Sequence, residues 1–174
     1  QVQHLHYAVD IDIKGFFDNV CHAKLIRQIW EMGIRDKTLL CIIKAMLKAQ
    51  IVLPDGEIIT PTKGTPQGGI LSPLLSNIVL NELDWWVSSQ WEGMSTHYPY
   101  KHRFNKAGTE IKSHTYRALR GSRLKEMHIV RYADDFKIFC RSHADAVRAF
   151  EATRLWLKDR LGLDISPEKS AVIN

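Results

Sequence analysis

From Leu5 to Ile13 the chain reads LHYAVDIDI, and the alternation of apolar and polar positions has the period of a half-buried strand. That period puts Asp10 and Asp12 on one face. Gly15 breaks the run, Phe16 and Phe17 follow, and after Asp18 and Asn19 the apolar positions Leu25, Ile26, Ile29 and Trp30 recur at helical spacing. A second helix is predicted from Lys37 to Ala49, with Leu39, Leu40, Ile43 and Leu47 facing inward. Ile51 to Thr60 reads as a hairpin around Pro54, Asp55 and Gly56. The next stretch, KGTPQGG at 63–69, is too rich in Gly and Pro to be regular. It leads into a long helix with Ser72 as N-cap, Pro73 as first helical residue and Leu75, Ile78, Val79, Glu82 and Trp86 continuing the turns.

Further on, two short runs of β-formers, MHIVRYA and FKIFC, are interrupted only by Asp134 and Asp135. No spacer is long enough for a loop, so a tight hairpin with acids at its tip is predicted. Neighbouring strand residues point apart, and a turn is the simplest way to aim both carboxylates near one place. Taken alone, the stretch leaves a solvated Asp-Asp turn equally open. Ser142 then caps a helix running through Arg160, with Ala146, Val147, Phe150, Trp156 and Leu157 broadly on one side and Gly162 ending it. Leu163 to Ser166 and Ser170 to Ile173 read as two short strands around Pro167, Glu168 and Lys169. This order gives an α+β fold, helices laid on one face of a mainly antiparallel sheet.

With 174 residues, 45% of them hydrophobic, the chain can bury one core, and 1–174 is expected to form a single domain. No run of eighteen apolar residues and no charged-then-apolar leader is found, so neither a membrane span nor secretion is expected. The strand-like start at Gln1 suggests a piece of a longer protein. Cys21, Cys41 and Cys140 are widely spaced with no CxxC pair, as expected of buried reduced thiols in a cytosolic protein rather than a zinc site.

Charge is uneven. Between Glu92 and Arg131 lie nine Lys and Arg against three Glu, a local excess of six in a chain of net charge +5, which leaves the remainder at −1. Trp91, Tyr98, Tyr100, Phe104 and Tyr116 are interleaved with or flank these cations, a composition suited to phosphate contacts and base stacking. A solvated loop is the competing account. The glycine loop at 64–69 lacks the GxxxxGK[ST] spacing of a phosphate-binding loop, and taken alone it is better accounted for by an ordinary helix entry.

Asp12 at a strand end and Asp134 with Asp135 at a hairpin tip can converge if the two strands are neighbours. Such a cluster repels itself without cations. Mg²⁺ prefers one or two carboxylates plus substrate phosphates, and a pair of such ions supports in-line phosphoryl transfer from a nucleotide to a hydroxyl. Together with the basic segment, this points to nucleotidyl transfer on nucleic acid.

Four segments then carry a resemblance. DIKGFFD at 12–18, GTPQGGILSP at 64–73, YADD at 132–135 and Gly162-Leu163 followed by Pro167 and Lys169 resemble, in order and spacing, the successive palm motifs of reverse transcriptases. The longer string GTPQGGILSPLLSNIVLNELD, with DIKGFFD, is similar to bacterial group II intron-encoded reverse transcriptases, also called maturases. The resemblance covers nearly the whole chain except a basic insertion at about 92–126.

It implies a reverse transcriptase palm acting as an RNA-directed DNA polymerase, with Asp12 and Asp134 binding two Mg²⁺ ions (Mn²⁺ as substitute). Asp135 would complete the triad and Ile13 would offer its backbone carbonyl. Lys14 and Gln67 are expected at the incoming nucleotide, Phe17 at its sugar 2′ position, and Lys169 as proton donor to the pyrophosphate. Arg117, Arg120, Arg123, Lys125 and Tyr132 are expected to contact nucleic acid. Implied partners are an intron RNA template, a DNA primer and dNTPs in a bacterial cytoplasm, and a maturase role in splicing accompanies polymerisation. The family's fingers and thumb are expected to lie largely outside 1–174. Competing implications are a retron or CRISPR-associated reverse transcriptase, or a splicing factor that binds RNA without polymerising.

Overall fold

The computed structural model describes residues 4–66, 68–95 and 103–174. Its central sheet has four strands in the order β4-β5-β1-β6, where β1 is Tyr7–Ile11, β4 Met127–Tyr132, β5 Asp135–Cys140 and β6 Ala171–Ile173. All neighbours are antiparallel, with Val9 opposite Ile138 and Val172, and Ile129 opposite Ile138 on the other side. The helices are α1 Phe16–Asn19, α2 His22–Glu31, α3 Lys37–Leu47, α4 Ser72–Gln90, α5 Ser113–Arg120 and α6 His143–Trp156. A separate two-stranded hairpin, β2 Ile51–Val52 and β3 Ile58–Ile59, follows α3.

Strand alternation sorts the sheet into a covered and an open face. Val9, Ile11, Phe136, Ile138 and Cys140 share the covered face and are buried, with α6 against β1 and β5, and α4 against β4. On the opposite face Asp10 stands across from Lys137 and Lys137 from Val130, which is 63% exposed. The predicted α+β arrangement is thus observed, and one face of the sheet is left for function.

Several local expectations are corrected. Helix α4 begins at Ser72 with Leu71 as its cap, because the Ser72 hydroxyl donates back to the Pro66 carbonyl instead of capping. Leu39 and Val147 point outward, at 41% exposed each, since the inward stripes run through Leu40, Ile43 and Leu47 and through Ala146, Ala149 and Thr153. Helix α6 passes into a π-helical turn, Leu157–Leu161, before Gly162 closes it at φ 73°. The two C-terminal limbs do not pair with each other: Ile165 bridges Ile13, while β6 pairs with β1. Of the cysteines only Cys140 is buried, which pushes its thiol up to about 12, whereas Cys41 is exposed. Among the described residues no helix is long and apolar enough to cross a membrane.

Candidate active site

The register sets the geometry. Ile11 pairs with Phe136, so one further step along β1 brings Asp12 level with Asp135, the first residue of β5. Alternation places both on the open face. Asp134 lies beside them in the turn, which joins Tyr132 to its partner Asp135 through only Ala133 and Asp134.

Asp12 is held by its backbone, not by its carboxylate. Its N–H donates to Ser170 Oγ (3.1 Å) and its carbonyl accepts from the Ser166 N–H (2.8 Å). The side chain is left over: among the described residues, the carboxylates of Asp12, Asp134 and Asp135 have no hydrogen-bond or ion-pair partner. Asp10 behaves differently, its carboxylate bonding Lys137 Nζ and holding that ammonium above the usual lysine range. Asp10 is therefore a structural acid.

Three acids without a bonded protein cation suit a hard divalent ion. No three His, Cys, Asp or Glu among the described residues are already gathered as a metal cage. The donor set fits a cation that takes one or two carboxylates and fills its remaining positions with phosphate oxygens and water, as Mg²⁺ does.

The turn itself is strained. Ala133 has φ 55°, the one positive value for a non-glycine among the described residues. A left-handed alanine costs about 1–2 kcal/mol and persists only where the surroundings impose it. Here Arg131, on the covered face, donates to the Ala133 carbonyl (2.8 Å) and to Asn77 Oδ1 (2.7 Å) through Nη1, and forks onto Asp84 through Nε (2.9 Å) and Nη2 (2.6 Å).

The glycine-rich loop docks against the segment after β1. The Gly64 N–H donates to the Val20 carbonyl and the Thr65 N–H to the Phe17 carbonyl, both at 2.7 Å. The buried His22 ring reaches the Gly64 carbonyl (2.7 Å), and Lys63 Nζ donates to Asn19 Oδ1 (2.6 Å). Gly64 sits at φ 90°, and a Cβ there would lie 3.0 Å from the Phe17 carbonyl oxygen and 3.1 Å from Asp18 Cα. Only glycine fits this approach.

The sequence profile of the family described as "Reverse transcriptase (RNA-dependent DNA polymerase)" matches residues 1–174. The chain belongs to the reverse transcriptase family. Group II intron-encoded protein LtrA of Lactococcus lactis subsp. cremoris is 34% identical over 193 residues, which cover 94% of this chain and 32% of that protein. The putative COX1/OXI3 intron 2 protein of Saccharomyces cerevisiae is 26% identical, over 98% of this chain and 22% of its own. The chain thus spans about a third or less of these relatives. Apo telomerase from Candida tropicalis shares the fold with a TM-score of 0.63 and 12% identity, over 98% of this chain and 29% of its own.

Against this reverse transcriptase fold, the remaining candidate residues fall as follows. Ile13 is buried, and the bonds forming its bridge to Ile165, Ser166 N–H to Asp12 and Lys14 N–H to Asp164, leave the Ile13 carbonyl without a partner among the described residues. Lys14 is exposed beside it. Phe16 is buried at 2% exposure, while Phe17 is half-buried with its ring edge-on to Phe16 at 5.4 Å. The two rings diverge on a helical turn rather than by strand alternation. Lys169 is exposed on the turn before β6, its N–H donating to the Ser166 carbonyl (3.1 Å). Tyr132 is 87% exposed at the hairpin tip. Gln67 lies outside the described residues.

The basic segment contains a helix, α5, tied to the body by Trp91 stacked on Tyr116 and by a hydrogen bond from the Tyr116 hydroxyl to Glu92. Burial and that bond push the Tyr116 phenol up to about 12. Arg120 is engaged by the buried Glu126 (3.2 Å) and Lys125 approaches Asp145 at 4.0 Å. Arg117 and Arg123 are exposed, with no side-chain partner among the described residues.

Sequence reasoning missed His22, Asn77 and Asp84, and counted Arg131 only as one more cation. Asn77 and Asp84 are seven residues apart, polar positions two turns apart on one side of a helix. That spacing was the available signal.

Proposed function

We propose that this chain is the catalytic palm, a single folded unit, of an RNA-directed DNA polymerase of the group II intron type. It would join dNTPs to a DNA primer 3′-hydroxyl on an RNA template. The observation that carries this reading is the strand register that sets Asp12 level with Asp135, with Asp134 next to it in the turn, at one end of the open sheet face of a reverse transcriptase fold.

Asp12 and Asp134 would hold two Mg²⁺ ions (or Mn²⁺), aided by the Ile13 carbonyl, with Asp135 adding negative charge beside them. When bound, these ions would acidify the primer hydroxyl and offset charge on the departing pyrophosphate. The backbone bonds from Ser166 and Ser170 fix Asp12 without using its carboxylate. The partly exposed Phe17 ring would lie under the nucleotide sugar, and Lys14 and Gln67 would contact the nucleotide. Lys169, without a carboxylate partner among the described residues, would donate a proton to the pyrophosphate. Arg117, Arg123, Lys125 and Tyr132 would hold nucleic acid, with Arg120 supporting them. Intron RNA binding in splicing would use the same basic surface and require no metal.

In the full-length protein, Asp12→Ala or Asp134→Ala should abolish primer extension while RNA binding persists, because the cations enter mainly with substrate phosphates. Extension by either variant at a rate near that of the parent, measured in single-turnover assays, would refute the assignment.

A further inference from the structure

The guanidinium of Arg131 spends four of its five N–H donors inside the chain: two on Asp84, one on Asn77 and one on the Ala133 carbonyl. Asp84 neutralises its charge, and the side chain is only 11% exposed. An arginine so committed keeps a single N–H, on Nη2, for any outside group. What it joins is more telling, since Asn77 and Asp84 belong to α4 and Ala133 to the acid turn.

The Ala133 carbonyl lies in the peptide plane leading directly into Asp134. Fixing that oxygen fixes the plane, and the plane sets the direction from which the Asp134 side chain departs. Ala133 is also the residue held at φ 55°, a value that a two-residue hairpin asks of its first central position but that an alanine disfavours. A bond that holds this carbonyl comes from a side chain anchored on α4. The same α4 starts at the end of the glycine-rich loop, where Ser72 bonds the Pro66 carbonyl.

We propose that Arg131 is a positioning residue that locks the Asp134 turn to α4 and so aims its carboxylate for metal binding. This rests on the polymerase reading above. The Asp84 carboxylate is part of the device because it holds the fork in the plane that lets Nη1 reach Ala133. Lysine could keep one ion pair with Asp84 but could not hold Asp84, Asn77 and Ala133 together in one fixed geometry.

The test uses the full-length protein with RNA template, primer and an unreactive dNTP analogue. Mn²⁺ affinity is read by electron paramagnetic resonance and, separately, kcat and KM for dNTP by single-turnover extension. Arg131→Lys should weaken Mn²⁺ binding and lower kcat by about 10–100-fold, with RNA affinity and KM for dNTP unchanged. Asp84→Asn should do the same, and the milder Asn77→Ala should move both quantities in that direction even if the other two variants fold poorly, as judged by thermal melts. Unchanged Mn²⁺ affinity and kcat in folded variants would overturn the proposal. So would a loss confined to RNA affinity, which would make Arg131 a nucleic-acid contact. Asp134→Ala measured alongside separates the two levels: if it still extends primers the polymerase reading falls, whereas if it is inactive and Arg131→Lys is normal, only the positioning role falls.

Discussion

Phe17 illustrates how much one side chain can be asked to do. Its neighbour Phe16 is buried and belongs to the core, while Phe17 is only half-buried, packs against that core and rests edge-on against Phe16 at 5.4 Å. Its backbone carbonyl accepts from Thr65, so the glycine-rich loop fixes the ring's base from behind. A rigid ring below a deoxyribose leaves no space for a 2′-hydroxyl and offers it no acceptor, a penalty on the order of 1–3 kcal/mol. Phe17→Val should therefore raise ribonucleotide use relative to deoxyribonucleotide use by about tenfold or more, since about 1.4 kcal/mol is a factor of ten. Competition between the two nucleotides in single-turnover extension measures it. Because the ring is only half-buried, the stability cost should fall below the roughly 3–5 kcal/mol of a fully buried phenylalanine truncation. A large loss of stability with unchanged sugar choice would place Phe17 in the core.

At the scale of elements, Glu126 is the joint between the basic segment and the sheet. It is buried at 4% exposure just before β4, facing His4 (3.0 Å), Arg120 (3.2 Å), Arg141 (3.1 Å) and His128 (3.5 Å). Burial pushes its carboxyl up, but hydrogen bonds from His4 and Arg120 outweigh that and hold it below the usual 4.5. A carboxylate lowered on folding adds stability that is complete above pH 4.5 and is lost as pH falls through the folded value. Glu126→Gln should flatten that acid limb in melts between neutral and acidic pH. At neutral pH it should cost about 1.5–3 kcal/mol, nearer the lower figure because Arg120 and Arg141 are 37% and 47% exposed. Parallel curves for the two proteins would remove Glu126 from this role. Helix α5 itself was not legible in the sequence, because Leu119 is its one buried residue and no apolar stripe marks it. Strand β1, the acid hairpin and α4 were legible, since alternation, turn chemistry and helical spacing are local signals. The docking of the glycine-rich loop was not: backbone carbonyls, His22 and the Lys63–Asn19 bond carry it, and none of these leaves a periodic trace.

Across the whole molecule, charge and shape divide the labour of binding and chemistry. The acids sit at one end of the open face without a bonded cation among the described residues, and the chain's net positive excess lies in the segment between Glu92 and Arg131. A polyanionic partner held by the second can deliver its phosphates and their cations to the first, provided the basic residues are free to release counterions. The structure separates these residues into two kinds. Arg117 and Arg123 are exposed without partners among the described residues, whereas Arg120 is committed to Glu126. Removing one phosphate-binding side chain should reduce the slope of log K against log salt by roughly 0.7–0.9. Arg117→Ala and Arg123→Ala in the full-length protein should each do so while leaving the melting temperature unchanged. Arg120→Ala should instead lower the melting temperature, with a smaller change in slope, because its charge is already spent on Glu126. Titrations of RNA binding over a range of salt, paired with thermal melts, separate the two classes. Equal slopes for all three variants and the parent would mean that this face does not meet the RNA backbone, and that the positive charge of α5 serves only to hold the segment against Glu126.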